Sequence, residues 1–183
     1  MISQNNKTAY ISNTLDFSND LKRRRQSEKS DIEQLVAVGL DVEKLDLRDY
    51  FTKSGKLVEK IDEFGVIWVK GGNVFVLRQA MKTSGYDKLL QKVANERNDL
   101  LYGGYSVGVC VLTPSLRGID LMDDITIFQY PEQQEVVWDG LNLINYSIVP
   151  HYKSDLEATH LTDKTVAQYE RDCTILKLYE MGK

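Results

Sequence analysis

Ser106 stands at the centre of Gly104-Tyr-Ser-Val-Gly108, a motif of the form GxSxG. The motif follows a predicted strand and precedes the apolar segment Val109 to Leu112, which predicts the start of a helix. On such a strand-to-helix turn, small residues two places before and after the serine let neighbouring elements approach closely. The turn lifts the hydroxyl to the carboxyl edge of the sheet, where amides at the helix N-terminus stabilise an oxyanion. The spacing therefore favours a nucleophilic serine.

A serine nucleophile needs a general base, and the chain contains two histidines. His151 follows the apolar segment Ser147 to Pro150, so we expect it at the carboxyl end of a strand, where open α/β sheets place their sites. His160 lies in a polar stretch and is predicted to be an exposed loop residue. His151 is therefore the expected base, and the alternative is a structural histidine at a strand end.

A second glycine-rich turn, Lys70-Gly-Gly-Asn73, also follows a buried strand and precedes a helix. It has neither the GxGxxG nor the GxxxxGK[ST] pattern, so nucleotide binding has little support. One interpretation is an ordinary strand-to-helix turn. The other is that the amides of Gly72 and Val107 are the two donors of an oxyanion hole.

Short β-like segments alternate with longer helical ones along the chain. We therefore expect an α/β fold in three layers, with a mainly parallel sheet flanked by helices. No repeat or low-complexity linker interrupts the pattern, so residues 1–183 are predicted to form one domain. The predicted strands are 8–12, 41–47, 66–69, 99–102, 125–129, 146–149 and 174–178. The predicted helices are 57–61, 74–81, 86–96, 165–171 and one that opens with a capping box at Ser30-Asp-Ile-Glu33.

The composition limits the classes of function. A formal net charge of −4 argues against a general binder of nucleic acid or anionic membranes. The basic run Lys22-Arg-Arg-Arg25 is interpreted as a solvated helix face. The chain has neither a membrane-spanning apolar run nor the apolar core of a signal peptide, and Cys110 and Cys173 are interpreted as reduced thiols. We expect a cytoplasmic monomer or homodimer with no metal and no cofactor.

Three ordered motifs resemble those of the dipeptidase E (α-aspartyl dipeptidase) serine peptidases, a family that also includes cyanophycinase-like enzymes. They are Val69-Lys-Gly-Gly-Asn-Val-Phe-Val-Leu77, Gly104-Tyr-Ser-Val-Gly108 and Ile148-Val-Pro-His-Tyr152. The family pattern is GGGN-[TV]-F, then G-[WY]-S-[AV]-G, then PH[YF]. The segment from Ser12 to Leu47 also looks similar, so the resemblance covers most of the chain.

The resemblance implies a sheet related to that of class I glutamine amidotransferases, with a serine in place of their elbow cysteine. It also implies a peptidase that acts on short peptides, with Asp-X dipeptides as the typical substrates. Carried over by position, Ser106 is the nucleophile and His151 is the base. Gly72 and Val107 are then the oxyanion donors.

The resemblance also implies a third triad member, an acid that lies between the serine and the histidine. Our prediction is Asp120, with Asp123 and Asp124 as alternatives. The chain departs from the family at Lys70, which replaces the first glycine of GGG and is expected near the oxyanion loop, and at its ends, where terminal strands of the family are expected to be missing. Two alternatives therefore stay open: a non-catalytic relative that acts as a binding domain, and an esterase-type serine hydrolase.

Overall fold

The computed structural model describes residues 5–153, 159–171 and 176–180. In these residues, four parallel strands form the main sheet in the order β2-β1-β3-β4. They are β1 (Lys7–Ile11), β2 (Asp41–Lys44), β3 (Val66–Val69) and β4 (Leu101–Gly104). Two more parallel strands, β5 (Ser147–Tyr152) and β6 (Leu176–Glu180), form a second sheet. The predicted mainly parallel sheet is confirmed.

Six α-helices lie in the described part of the chain. They are α1 (Leu21–Ala37), α2 (Ser54–Ile61), α3 (Val74–Ser84), α4 (Tyr86–Glu96), α5 (Val107–Cys110) and α6 (Thr159–Arg171). Short 3-10 helices span Asn13–Leu15, Leu47–Tyr50 and Ile119–Leu121. None of the helices described is both long enough and apolar enough to cross a membrane.

Alternate residues of the central strands face opposite sides of the main sheet. Ile11, Ile67 and Val69 are fully buried in the main apolar core, which also contains the first turns of α3. Tyr10 faces the other side, where its hydroxyl donates a hydrogen bond of 2.9 Å to Asp31 of α1. Because helices cover both faces, β3 consists of consecutive apolar residues, as strands of buried parallel sheets do.

Helix α1 begins before the predicted capping box, which is wrong because Ser30 lies inside the helix. The N-cap is Asp20, whose carboxylate accepts a hydrogen bond of 2.9 Å from the amide of Arg23. A carboxylate in this position satisfies one of the free amides of the first turn. The basic residues that follow Asp20 are therefore helical.

The basic run of α1 is solvated in part. The side chains of Lys22, Arg23 and Arg25 are exposed, as expected. Arg24 is different, because only 9% of its side chain is exposed and it forms ion pairs with Asp16 and Glu28. The interpretation as a solvated face is therefore wrong for Arg24.

The strand predicted at 125–129 is wrong, because this segment is irregular. Gln79, which is buried on α3, holds the segment in place. Its side-chain amide donates to the carbonyl oxygen of Ile127 at 2.6 Å, and its side-chain oxygen accepts from the amide of Gln129 at 3.0 Å. These bonds satisfy backbone groups that would otherwise need a neighbouring strand. The other predicted strands and helices are confirmed, with differences at their ends; residues 174 and 175 of the last predicted strand lie outside the described part of the chain.

We expect the substitution Gln79→Leu to lower the free energy of unfolding by about 1–3 kcal/mol, because it removes the side-chain partners of the Ile127 carbonyl and the Gln129 amide in two partly buried hydrogen bonds. Gln34→Leu on the exposed face of α1 is the matched control and should change stability by less than about 0.5 kcal/mol. Urea unfolding measures both values. Equal unfolding midpoints for the two variants would contradict this account of the loop.

Candidate active site

Ser106 lies between the end of β4 and the start of α5, with φ 52° and ψ −125°. A positive φ is rare for a residue other than glycine, and such a conformation costs about 1–3 kcal/mol unless the surroundings fix it. A Cβ atom on Gly104 would lie 2.6 Å from the carbonyl oxygen of Val69, and one on Gly108 would overlap the same carbonyl group. The two glycines of the motif are therefore required by the close approach of β3.

His151 lies at the carboxyl end of β5, and its Nε2 atom is 3.1 Å from the hydroxyl oxygen of Ser106. This separation allows a hydrogen bond and proton transfer. Like Ser106, His151 has a positive φ, of 61°. The structure thus brings together two side chains that come from different sheets and lie 45 positions apart in the sequence.

The other nitrogen of His151, Nδ1, is buried and has no hydrogen-bond partner in the described part of the chain. A triad acid would accept a hydrogen bond from this atom. Asp120 instead accepts a hydrogen bond of 2.6 Å from the amide of Gly118, and Asp124 is exposed and bonded to Thr126. The structure joins neither acid to His151, so the choice of Asp120 stays a prediction.

Asp123 belongs to the loop after the 3-10 helix Ile119–Leu121, and its carboxylate lies against the first residue of α3. Its carboxylate accepts a hydrogen bond of 2.7 Å from the amide of Val74, the first residue of the helix. Burial raises the pKa of Asp123 to about 6, although the hydrogen bond from Val74 acts in the opposite direction. Asp123 therefore supports the turn that carries Gly72, and it forms no bond with His151.

A further acid lies beyond the segment in which the sequence analysis searched. In the parallel pairing of β5 with β6, Glu180 is the register partner of Tyr152, the residue that follows His151. The backbone of Glu180 therefore lies opposite the residue that follows the histidine, after an irregularity in the register between Val149 and Tyr152. Glu180 lies after His151 in the chain, outside the segment between the serine and the histidine in which the family resemblance places the acid.

The amides of Gly72 and Val107 donate no hydrogen bond to any acceptor in the residues described. Thr14 fixes the turn that carries Gly72, because its hydroxyl donates to the carbonyl oxygen of Gly71 and its own carbonyl accepts from the amide of Asn73, both at 3.0 Å. Two free amides on rigid turns are the donors that an oxyanion needs. Their role as an oxyanion hole stays a prediction.

Comparison with known proteins identifies the family. The model of peptidase family S51 matches residues 25–181. The chain belongs to peptidase family S51. The resemblance to peptidase E proteins is confirmed, because a relative and a solved structure carry that name.

The S51 chain has relatives in several bacteria. An uncharacterized peptidase of Listeria monocytogenes, Lmo0363, is 34% identical over 141 residues, which are 74% of this chain and 62% of the relative. Peptidase E of Streptomyces coelicolor is 32% identical over 109 residues, which are 59% of this chain and 41% of the relative. The chain thus spans less than two thirds of the length of these relatives.

A solved structure of a protein described as a peptidase E, from Listeria monocytogenes EGD-e, has the same fold. The two structures align with a TM-score of 0.69 and 26% identity, over 99% of this chain and 79% of the other. The predicted fold class is confirmed by this match.

Lys70 is the residue of the S51 chain that departs from the GGG pattern. Its ammonium group is paired with other side chains. Its ammonium group is 2.7 Å from the carboxylate of Asp31 on α1 and 2.8 Å from the hydroxyl of Tyr105. Only 3% of its side chain is exposed. The extra side chain is therefore accommodated on the α1 face of the sheet.

An apolar cavity of about 380 Å³ lies between the end of β4 and the beginning of β5. Gly104 and Ile148, which line it, come two residues before Ser106 and three before His151. The remaining lining residues are Val109, Leu112, Ile144 and Tyr146. The described residues contain no group of three or more histidine, cysteine or acidic side chains that could hold a metal ion.

Two more predictions concern residues outside the site. The loop predicted at His160 is wrong, because this residue belongs to the first turn of α6. Of the two cysteines, Cys110 is buried and unpaired, and Cys173 lies outside the described residues.

The raised pKa of Asp123 predicts a pH dependence of stability. Between pH 4 and 6 the folded chain binds more protons at this carboxyl group than the unfolded chain, so stability contributed by Asp123 falls as pH rises through this window. The free energy of unfolding of Asp123→Asn minus that of the native chain should therefore rise by roughly 1–3 kcal/mol between pH 4 and pH 6.5. Urea unfolding across this range measures the difference.

The exposed neighbour provides the control. The pKa of Asp124 is lowered by its hydrogen bonds to Thr126, so Asp124→Asn should show a shallow trend of opposite sign. A pH-independent difference between Asp123→Asn and the native chain would contradict the prediction.

Proposed function

We propose that this S51 chain is a serine peptidase that hydrolyses short peptides by acyl transfer, with Ser106 as nucleophile and His151 as general base. The observation that carries the proposal is the distance of 3.1 Å between the Ser106 hydroxyl and Nε2 of His151. The family match supports the same reaction class.

In the proposed reaction the hydroxyl oxygen of Ser106 attacks the carbonyl carbon of the peptide bond, and Nε2 of His151 accepts its proton. The carbonyl oxygen becomes an oxyanion that accepts hydrogen bonds from the amides of Gly72 and Val107. The protonated His151 then donates its proton to the nitrogen of the leaving amine as the C–N bond breaks. The acyl group stays bound to Ser106 as an ester, the acyl-enzyme. A water molecule, deprotonated by the same histidine, hydrolyses this ester.

The proposed substrate class is inferred from the family resemblance. Asp-X dipeptides are the substrates that the resemblance to dipeptidase E implies, and the name peptidase E among the relatives supports a peptide substrate. A single domain, a cytoplasmic location, and a monomeric or homodimeric state stay predictions. No role is proposed for a cofactor, a metal ion, nucleic acid or a membrane.

A second candidate is an esterase-type hydrolase that uses the same serine and histidine. Its motivation is an apolar cavity near the serine turn, whose lining includes Gly104 but neither Ser106 nor His151; this candidate requires that the cavity receive the apolar acyl group of the ester. Turnover of aryl esters in preference to dipeptides would identify this activity.

Ser106→Ala should lower kcat/KM for Asp-X dipeptides by roughly 10⁵-fold or more, because the nucleophile is lost. A fluorophosphonate should label the native chain and should not label this variant. Ser54→Ala on the exposed face of α2 is the matched control and should react like the native chain. Mass spectrometry locates the label.

Each alternative has its own outcome in this experiment. Full activity of Ser106→Ala would refute the mechanism. A folded native chain that the fluorophosphonate does not label, and that turns over neither peptides nor esters, would indicate a non-catalytic binding domain.

We also predict that one acid orients His151, and that its loss lowers kcat by roughly 10³- to 10⁴-fold with little change in KM. The variants to compare are Asp120→Asn, which the family resemblance favours, Asp123→Asn, Asp124→Asn and Glu180→Gln, which the β5–β6 register favours. The other three should stay within about tenfold of the native kcat. If none of the four loses activity, none of these four acids orients His151.

A further inference from the structure

Three side chains converge on one carboxylate oxygen behind the serine. Oδ2 of Asp31 accepts hydrogen bonds from the ammonium group of Lys70 at 2.7 Å, from the hydroxyl of Tyr105 at 3.0 Å and from that of Tyr10 at 2.9 Å. Lys70 also donates to the hydroxyl of Tyr105 at 2.8 Å, and its ammonium lies 5.5 Å from the centre of that ring. The cluster therefore joins helix α1 to the ends of three strands.

The charges of this cluster are shielded from solvent. The side chains of Lys70 and Asp31 are 3% and 15% exposed. Burial acts to lower the pKa of Lys70, but the hydrogen bonds with Asp31 and Tyr105 outweigh it and raise this pKa. Lys70 therefore stays charged at neutral pH, and the buried ion pair constrains the partners that it touches.

Tyr105 connects the cluster to the serine. It directly precedes Ser106, and its ring packs on the glycine-rich turn so closely that a Cβ atom on Gly71 would lie 2.8 Å from the ring. The same added atom would lie 3.2 Å from the Cβ of Ser106. Lys70 directly precedes Gly71 in the sequence. The cluster therefore fixes Tyr105, which precedes the nucleophile, and Lys70, which precedes the turn that carries the Gly72 amide.

We infer that Lys70, Asp31 and Tyr105 act together as a positioning device that holds the Ser106 turn at a fixed distance from the Gly72 amide. The inference rests on the proposed function of Ser106. The backbone of Ser106 has a positive φ, so its conformation persists only where neighbouring contacts enforce it. Asp31 and Lys70 hold the hydroxyl of Tyr105 by hydrogen bonds, and Tyr105 in turn fixes the backbone of Ser106.

The effect of the device falls on the chemical step. A displacement of the nucleophile by about 1 Å reduces rates by roughly 100-fold, whereas substrate binding depends on other parts of the site. Loss of the Tyr105 anchor should therefore lower kcat and leave KM nearly unchanged. A purely structural contact would change stability without this selective effect.

The test compares two variants that each remove one hydroxyl from Asp31. Tyr105→Phe should lower kcat, and the rate constant for fluorophosphonate labelling of Ser106, by roughly 10- to 100-fold, with KM within about twofold. Tyr10→Phe, the matched control, removes a bond to the same oxygen from a residue that belongs to β1 and not to the serine turn. Its labelling rate should stay within about twofold of the native value.

A double-mutant cycle tests whether the three residues act as one unit. Lys70→Met should lower the labelling rate as Tyr105→Phe does, and the double variant should be no slower than the slower single variant. Multiplicative effects in the double variant would show independent contributions and overturn the inference. If Lys70→Met does not fold, the comparison of the two tyrosine variants decides alone.

The outcomes separate this inference from the proposed function. Equal labelling rates for Tyr105→Phe and the native chain, or equal losses in Tyr105→Phe and Tyr10→Phe, would overturn the inference and leave the serine mechanism intact. Absence of labelling in the folded native chain would instead contradict the proposed function. A loss confined to Tyr105→Phe among the tyrosine variants supports the positioning role.

Discussion

The close approach of the carboxyl end of β3 to the serine turn is the constraint on which the site depends. The carbonyl group of Val69 occupies the space that side chains on Gly104 and Gly108 would fill. Because the residues two positions before and after Ser106 are glycines, the chain can turn sharply at Ser106 in a strained conformation. The hydroxyl then projects from the edge of the sheet. The same contact places β3 and its glycine-rich turn beside the nucleophile.

The parallel sheet explains why distant segments meet at this edge. Carboxyl ends of parallel strands lie together, so the turns after β3 and β4 are neighbours although helices α3 and α4 separate them in the sequence. His151 comes from β5 in the second sheet, and its position against Ser106 depends on how that sheet packs on α5. The turn after β3, the serine turn after β4 and the end of β5 therefore lie close together.

The two faces of the main sheet differ in chemistry. The face towards α3 is an apolar core, whereas the face towards α1 contains buried hydrogen-bonded charges on Asp31, Glu28 and Lys70. Buried charges persist only when partners satisfy them, and each of these has at least one. This polar face is what allows a lysine in place of the first glycine of the GGG pattern.

By itself, the sequence determined the alternation of strands and helices, the strained turn at Ser106 and the choice of His151 over His160, because local periodicity and glycine spacing carry this information. Only the tertiary structure decided the direction of Lys70 and the irregular course of 125–129, which Gln79 fixes from α3. The acid that would orient His151 stays a prediction, because no acid in the described residues is hydrogen-bonded to this side chain. Contacts such as those of Lys70 and Gln79 join residues far apart in the chain, and no local pattern records which of several acids or bases a fold brings together.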